Sequence, residues 1–488
     1  MEGVESPVDV KKWATVLPPV GSTIHLCGIC GTGMASLAGL LLENGYNVQG
    51  SDTAYYPPMG KVLQDLKITL FNGYSPKNLY PRPDFVIIGN VIRADNPEAR
   101  AVIESGIPYT SFPAALSSLL LQKRFSLVVA GTHGKTTTST LLVSALEGCG
   151  QDVGFLIGGV LKSHGTGFHL GKSEYFVVEG DEYDTAFFDK RPKFVHYAPK
   201  AAVLTSIEFD HADIYENEKA VEEAFQNLAG IIPENGLLVA CRDWPIVRRV
   251  LKGCAGKVIT YGLTEQSDYQ LMGWKDSGGR VEFEIVLRKG ERISGSLAMP
   301  GMHNALNCCG IIALCTELGL PIARVMKGLS QCSGVKRRQE VLGEVNGRVV
   351  IDDFAHHPSA VSATLEALKA RYPDRRLVAI FEPRTNTSRR AIFQNRYPSS
   401  FRVADLILVR EVPDPEKAPE GDRFSSARLV EDLKKLGKEA FLFSTGPDIV
   451  KFLQSASRPG DVISVLSNGP FEGIHGMLLE AFRDEAVA

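Results

Sequence analysis

Several features are scarce in this sequence, and each absence excludes a class of protein. The 488 residues carry a formal net charge of only −3, which gives no electrostatic reason to expect nucleic acid or an anionic lipid surface as a partner. No uninterrupted apolar run approaches the roughly 18 residues that a membrane span needs. Residues 1–13 contain three acidic side chains and no apolar core, so they do not resemble a secretory signal.

Cysteine is also scarce. The chain has 9 cysteines, an odd number, scattered and mostly inside apolar runs such as Cys308-Cys309 and Cys315. This pattern predicts buried free thiols in a reducing compartment, so we expect a cytoplasmic protein. Cys27 and Cys30 have C-x-x-C spacing, but no second pair stands at zinc spacing. Neither zinc nor redox chemistry is therefore favoured there.

The composition is that of an ordinary globular protein, with 44% hydrophobic and 22% charged residues, and the order of its patterns predicts an α/β fold. The length predicts about three domains, and short apolar runs alternate with helical patterns in three blocks. We predict a Rossmann-like domain at 1–124, a central ATPase-type domain with a mostly parallel sheet at 125–334, and a Rossmann-like domain at 335–488. The predicted strands are 23–28, 46–51, 84–89, 126–130, 175–179, 201–205, 349–351, 377–381, 405–409 and 461–466, with a hairpin within 269–297. A Pro-rich and charged surface loop is predicted at 412–426.

The strongest local motif is a glycine-containing loop between a strand and a helix. It reads Gly131-Thr132-His133-Gly134-Lys135-Thr136-Thr137. Glycines let consecutive backbone N–H groups point at phosphate oxygens, and the helix start adds a partial positive charge. Lys135 is then placed for the β- and γ-phosphates, and the Thr136 hydroxyl for Mg²⁺. The two glycines are three residue steps apart rather than the usual five. The order of strand, loop and helix nevertheless favours a nucleotide site over a chance turn.

The same block offers further ligands for a metal ion. Glu179 ends a predicted buried strand, at the edge where α/β sheets place their ligands. His211 follows the next strand, within Glu208-Phe209-Asp210-His211. Oxygen ligands suit Mg²⁺, with an imidazole as an occasional partner. Alone, His211 would suit a structural role, but its position in this block favours a ligand.

Six ordered motifs cover nearly the whole chain. In sequence order they are Gly131–Thr136, Glu179-Gly180-Asp181-Glu182, the stretch ending at His211, His303-Asn304-Ala305-Leu306-Asn307, Arg337-Arg338, and Asp352-Asp353-Phe354-Ala355-His356-His357-Pro358. In this order they resemble the motifs of the Mur ligase family.

The resemblance implies an ATP- and Mg²⁺-dependent ligase that forms an amide bond on a UDP-linked sugar carboxylate. It implies that Thr136, Glu179 and His211 hold Mg²⁺ and that Lys135 binds the β- and γ-phosphates, with His356 as a further catalytic residue. Asn304 would lie near the adenine, and Arg338 and Asp353 would reach the nucleotide from the third domain.

The first domain carries a second glycine turn, Gly28-Ile29-Cys30-Gly31-Thr32-Gly33, after a strand. A nicotinamide cofactor with Asp52 on its ribose is one interpretation. The glycine order is G-x-x-G-x-G rather than the dinucleotide fingerprint, and the Mur resemblance favours UDP. The residues predicted to bind the UDP-sugar are Gly28, Gly31, Thr32, Gly33, Asp52 and Asn90.

The branch of the family that uses UDP-N-acetylmuramate itself is the most similar. Within it, 182–191 and 382–387 most resemble the members that use the tripeptide L-alanyl-γ-D-glutamyl-meso-diaminopimelate, so the resemblance implies that tripeptide as the amine substrate. Free L-alanine is the alternative, and an inactive nucleotide-binding regulator is a second. Arg384 and Arg389 are the predicted peptide-binding residues, because arginine binds carboxylates through two N–H groups. For Arg389 a solvated helix start is the competing interpretation. We expect a monomer or a weak homodimer.

Overall fold

The computed structural model describes residues 13–55 and 59–484. The prediction that residues 1–13 are not a secretory signal falls mostly outside this range, because residues 1–12 are not described. In the part of the chain that is described, no helix has both the length and the apolarity needed to cross a membrane. All nine cysteines are free, and only Cys254 is partly exposed, so the prediction of buried free thiols is confirmed for the other eight.

The N-terminal part is a parallel sheet with helices between its strands. Its strands are β1 (Thr23–Cys27), β2 (Asn47–Asp52), β3 (Thr69–Asn72), β4 (Phe85–Ile88) and β5 (Tyr109–Ser111). Its helices are α1 (Thr32–Glu43), α2 (Met59–Asp65), α3 (Pro97–Glu104) and α4 (Phe112–Leu119). The strand order is β3-β2-β1-β4-β5, parallel throughout. This is the Rossmann-like order. Successive strands are added on one side of β1 up to β3 and on its other side from β4, and a ligand crevice opens at this switch point between β1 and β4.

The central part is built on a larger sheet. Its strands are β6 (Phe125–Ala130), β7 (Gly154–Leu156), β8 (Phe168–His169), β9 (Tyr175–Gly180), β10 (Asp184–Ala186), β11 (Asp189–Pro192), β12 (Ala201–Leu204), β13 (Leu237–Cys241), β14 (Lys257–Gly262) and β15 (Tyr269–Ser277). Its helices are α5 (Lys135–Gly148), α6 (Glu218–Gly230) and α7 (Pro245–Val250). The order runs β15-β14-β13-β12-β6-β9-β7-β8, parallel except between β7 and β8. The predicted mostly parallel sheet is thus confirmed. The strands β10 and β11 form a separate hairpin.

An antiparallel pair and two helices follow in the chain. The strands β16 (Arg280–Val286) and β17 (Arg292–Leu297) pair in antiparallel register, as the alternation within 269–297 predicts. The helices are α8 (Met302–Glu317) and α9 (Ile322–Gln331). In β16, Val281, Phe283 and Ile285 are buried while their neighbours are more exposed, which is the signature of a strand with one covered face.

The C-terminal part is a second α/β layer. Its strands are β18 (Glu340–Val345), β19 (Arg348–Asp353), β20 (Leu377–Phe381), β21 (Leu406–Arg410), β22 (Glu439–Phe443) and β23 (Val462–Leu466). Its helices are α10 (Pro358–Arg371), α11 (Tyr397–Ser400), α12 (Ser426–Lys435), α13 (Gly446–Ala456) and α14 (Ile474–Asp484). The order is β18-β19-β23-β20-β21-β22, with only β18 antiparallel. Alternate residues of β20 enter two different cores: Phe381 packs in one, and Ile380 in the other. Helices therefore cover both faces, as parallel sheets require.

The chain forms two compact units. The first contains the described residues up to Glu208, together with Glu218–Gln270 and Asn307–Cys332. The second contains Phe209–Asn217, Leu271–Leu306 and the described residues from Ser333 onward. The short segment Phe209–Asn217, which carries His211, thus belongs to the same unit as the C-terminal sheet. The domain boundaries proposed at 124/125 and 334/335 stay a prediction.

Candidate active site

The phosphate loop connects β6 to α5 in the first unit. Gly131 has a φ of 134° and Gly134 a φ of 80°, a region that side chains other than glycine rarely adopt. A Cβ added to Gly131 would lie 2.2 Å from the Thr205 hydroxyl oxygen. Helix α5 begins at Lys135 directly after the turn, so its first N–H groups have no intrahelical partner and face the loop. The sequence therefore folds locally into the anion-binding turn that it predicts.

Lys135 is held inside this loop. Its Nζ donates to the Gly131 carbonyl and to Glu182 Oε2, each at 2.7 Å. The Lys135 side chain is 12% exposed and that of Glu182 only 1%. Burial alone would lower the pKa of Lys135, but the carboxylates of Glu182, Asp181 and Glu179 raise it above its ordinary value. The loop thus contains a fixed positive charge, as a site for phosphate oxygens needs.

Two of the predicted metal ligands meet beside Lys135. The Thr136 hydroxyl donates to Glu179 Oε1 at 3.1 Å, and Glu179 Oε2 accepts from the Gly158 N–H at 2.9 Å. Glu179 is the last residue but one of β9, and Thr136 is the second residue of α5. A hydroxyl and a carboxylate oxygen at this spacing fit the oxygen preference of Mg²⁺.

A neighbouring segment after β12 supports the loop from the other side. The Thr132 N–H donates to the Ser206 carbonyl at 2.9 Å, and the His133 N–H to Ser206 Oγ at 2.9 Å. The His133 ring Nε2 lies 2.8 Å from Glu208 Oε2. Sequence reasoning assigned no role to Glu182, Ser206 or Glu208. Glu182 and Glu208 lie inside the quoted motifs, but nothing in a linear pattern says which loop residue each one contacts.

The second unit brings His211 and His356 close to a buried carboxylate. Asp210 is 6% exposed, and its Oδ1 accepts from the His211 N–H at 2.7 Å. Burial alone would raise the pKa of Asp210, but the nearby imidazoles of His211, His356 and His357 lower it below its usual range. Burial lowers the pKa of His356. Its Nδ1 lies 2.9 Å from the Phe354 carbonyl, so a proton on Nδ1 leaves Nε2 as the basic nitrogen.

The other predicted nucleotide residues of this unit are firmly held. Asp353 accepts from the N–H groups of Gln339 and Ala355 at 2.7 and 2.8 Å, and burial raises its pKa. The Arg338 guanidinium lies 4.5 Å from the centroid of the Phe354 ring. Asn304 is 5% exposed and donates to the Pro300 carbonyl at 2.8 Å. Their contacts with a nucleotide stay predictions.

The predicted UDP-sugar residues gather at one edge of the N-terminal sheet. Asp52 closes the glycine turn, because its Oδ2 accepts from the Cys30 N–H at 2.8 Å. Its Oδ1 accepts from the Thr53 N–H at 2.7 Å. Gly28 has a φ of 80° and Thr32 begins α1. Exposed Asn90 follows β4 at the same edge. The turn therefore offers a helix start and a crevice at the switch point of the sheet.

The two predicted peptide-binding arginines differ in their surroundings. Arg389 is buried and already engaged, since its guanidinium donates to the Pro413 carbonyl at 2.8 Å and to Asp414 at 3.3 Å. Arg384 is half-buried and packs against Gly469, where an added Cβ would lie 1.3 Å from its Nη1. Arg384 is close enough to Glu382 and Asp414 to lower the pKa of each carboxyl. Among the described residues, however, these two carboxylates form ion pairs with Arg410 and Arg389. Of the two predicted arginines, Arg384 has the guanidinium that remains available to an anionic ligand.

Three sequence families match consecutive parts of the chain. The "Mur ligase family, catalytic domain" matches residues 23–124, the "Mur ligase middle domain" matches 129–315, and the "Mur ligase, glutamate ligase domain" matches 337–469. Together they span the N-terminal sheet, the phosphate loop and the C-terminal sheet described above.

Individual relatives match over almost their full length. The chain is 39% identical to the UDP-N-acetylmuramate–L-alanyl-γ-D-glutamyl-meso-2,6-diaminoheptandioate ligase of Escherichia coli, over 95% of this chain and 99% of that protein. It is 35% identical to a UDP-N-acetylmuramate–L-alanine ligase of Solidesulfovibrio magneticus, over 94% and 98% of the two chains. The crystal structure of a murein peptide ligase from Psychrobacter arcticus superimposes with a TM-score of 0.72 at 35% identity, covering 95% of this chain and 99% of that one.

Proposed function

The chain belongs to the Mur ligase family, and from that premise we propose that it joins UDP-N-acetylmuramate to L-alanyl-γ-D-glutamyl-meso-diaminopimelate with ATP. The observation that carries the choice of substrates is the 39% identity, over nearly the full length of both chains, with the Escherichia coli ligase of that name. The phosphate loop with Lys135 supports the use of ATP.

In the proposed reaction the lactyl carboxylate of the sugar attacks the γ-phosphorus of ATP. ADP leaves, and an acyl phosphate forms. The α-amine of the tripeptide then attacks the acyl carbon, and phosphate leaves from the tetrahedral intermediate. We assign Lys135 to the negative charge that develops on the transferred group. Glu182 fixes the positive charge of Lys135 before substrate binds. A preorganised charge of this kind stabilises the transition state without a reorganisation cost.

Thr136 and Glu179 would hold Mg²⁺ on this loop, with His211 as the third ligand that the family motif implies. Both oxygen donors are in place, and a hydroxyl and a carboxylate match the donor set that Mg²⁺ prefers. When bound, the ion would neutralise phosphate charge during transfer.

Proton removal from the attacking amine needs little assistance. An α-amine has a reference pKa of about 7.7–8.0, so roughly a tenth is already neutral at pH 7. His356 offers a neutral imidazole, because burial lowers its pKa. Its Nε2 can accept the proton that the amine releases. His356 is therefore a helpful acceptor and not an obligatory base.

Arg384 supports the tripeptide over free alanine. The tripeptide carries extra carboxylates that alanine lacks, and a guanidinium binds a carboxylate through two parallel N–H groups. The Arg384 side chain follows β20 at the edge where α/β sheets bind ligands. We assign it to a carboxylate of the peptide.

The test is a comparison of two amines with the purified protein. UDP-N-acetylmuramate, ATP and Mg²⁺ are supplied with either the tripeptide or L-alanine, and phosphate release and product mass are followed. We expect kcat/KM for the tripeptide to exceed that for L-alanine by at least about tenfold, the value of one charged hydrogen bond. A preference for L-alanine would replace the tripeptide assignment. Nucleotide binding without turnover on either amine would favour the inactive regulator.

A further inference from the structure

The segment Phe209–Asn217 is short, carries His211, and packs in the unit of the C-terminal sheet. Three hydrogen bonds fix its middle to one turn of that unit. The Ala212 N–H donates to Thr387 Oγ1 at 3.2 Å, and the Arg390 guanidinium donates to the Ala212 carbonyl. Asn386 Nδ2 donates to Asp213 Oδ2 at 2.8 Å.

Aromatic packing reinforces these hydrogen bonds. The rings of Phe209 and Phe393 meet edge to face, with centroids 6.4 Å apart. The His357 ring packs on Phe393 from 4.6 Å, also edge to face. The segment is therefore anchored at its start, by Phe209, as well as at Ala212 and Asp213.

The backbone at His211 explains why such anchoring is needed. His211 has a φ of 55°, a left-handed conformation that residues other than glycine adopt only at an energetic cost. A strained residue of this kind persists only where its surroundings fix it. Its own N–H is bound by Asp210, and the next two residues are bound by the turn at Asn386 and Thr387.

The turn that anchors the segment also follows Arg384 directly. It is stiff, because Thr385 and Ser388 bond each other twice through backbone N–H and hydroxyl groups at 2.9 Å. The Arg389 N–H closes it by donating to the Thr385 carbonyl at 3.0 Å. These hydrogen bonds restrict the backbone between Arg384 and the residues Asn386 and Thr387.

We propose that Asn386 and Thr387 are positioning residues that link the segment of His211 to the turn of Arg384. Peptide binding at Arg384 then orders His211, and Mg²⁺-nucleotide binding at His211 orders Arg384. Linkage makes this coupling reciprocal: each ligand tightens the other by the same factor. The inference rests on the proposed function for the roles of His211 and Arg384.

The test uses the full-length protein and the variants Asn386→Ala, Asp213→Ala and their combination. Asn395→Ala is the matched control, because Asn395 is an exposed asparagine of the same unit that accepts from Arg428 at 2.9 Å. The swapped variant, Asp213→Asn with Asn386→Asp, restores an amide-to-carboxylate hydrogen bond in the opposite direction. Two quantities are measured: hydrogen exchange of the peptide covering Phe209–Asn217, and the affinity for Mg·ADP with and without the tripeptide.

We expect Asn386→Ala to speed hydrogen exchange across the segment about fivefold, the value of one hydrogen bond of about 1 kcal/mol. The factor by which the tripeptide tightens Mg·ADP binding should fall in the same variant. Asp213→Ala should cause no further change when it is combined with Asn386→Ala. The swapped variant should restore both quantities to their wild-type values. If the tripeptide tightens Mg·ADP binding to the wild type but Asn386→Ala behaves like Asn395→Ala, the inference is wrong and the proposed function is unaffected. A wild type that binds no tripeptide would overturn the proposed function as well.

Discussion

Replacing Glu182 by glutamine keeps the shape of the side chain and removes the negative charge 2.7 Å from the Lys135 ammonium. The raised pKa of Lys135 means that its charge is complete throughout the neutral range and is lost only as the pH rises through that raised value. Burial lowers the pKa of Lys135 and the Glu182 carboxylate raises it, so removing the Glu182 charge lowers this pKa. A charged hydrogen bond is worth about 1.5–3 kcal/mol, and about 1.4 kcal/mol corresponds to one pH unit. The alkaline limb of the kcat/KM profile for ATP should therefore move about one to two pH units lower.

The assay is phosphate release at saturating sugar and peptide, with ATP varied at each pH. Glu174→Gln is the control, because Glu174 is exposed and stands just before the same strand, β9. It removes an equal charge at the opposite end of that strand from Glu179, without touching Lys135. The reasoning is refuted if Glu182→Gln and Glu174→Gln give the same alkaline limb as the unmodified protein.

Three further predictions address the metal, the peptide and the loop. Glu179→Ala and His211→Ala should each raise the Mg²⁺ concentration for half-maximal activity at least about tenfold; a normal Mg²⁺ titration would reassign that residue as structural. Arg384→Ala should raise KM for the peptide at least about tenfold with KM for ATP unchanged, while Arg402→Ala, an exposed arginine paired on the surface, should change neither. A rise confined to KM for ATP would move Arg384 to the nucleotide site. Gly131→Ala should destabilise the fold by about 1–3 kcal/mol, because its φ is 134°; an unchanged thermal denaturation curve would contradict that strain.

Much of the layer architecture follows from local sequence patterns. The strand predicted at 377–381 matches β20 in both bounds, because an uninterrupted apolar run lies between charged residues and a proline. The helix after the phosphate loop begins at Lys135. Three consecutive threonines, Thr136–Thr138, have low helix propensity, and their burial against the rest of the unit overrides it.

The contacts inside the candidate site were less accessible to sequence reasoning. The motifs named Lys135, Thr136 and Glu179, and the strand ends bring these three together. The pairing of Lys135 with Glu182 spans 47 residues, and that of Ala212 with Thr387 spans 175. Local periodicity specifies which elements form, whereas contacts at such separations depend on strand order and side-chain packing.

Transfer of oxygen-18 from sugar to phosphate tests the central claim most directly. UDP-N-acetylmuramate labelled in both lactyl carboxylate oxygens is incubated with ATP, Mg²⁺, the tripeptide and the protein, and the phosphate and the ligated product are analysed by mass spectrometry. Attack of the carboxylate on ATP predicts one labelled oxygen in each released phosphate, in amounts equal to a product that carries the tripeptide. Unlabelled phosphate, or labelled phosphate without tripeptide product, would contradict the account.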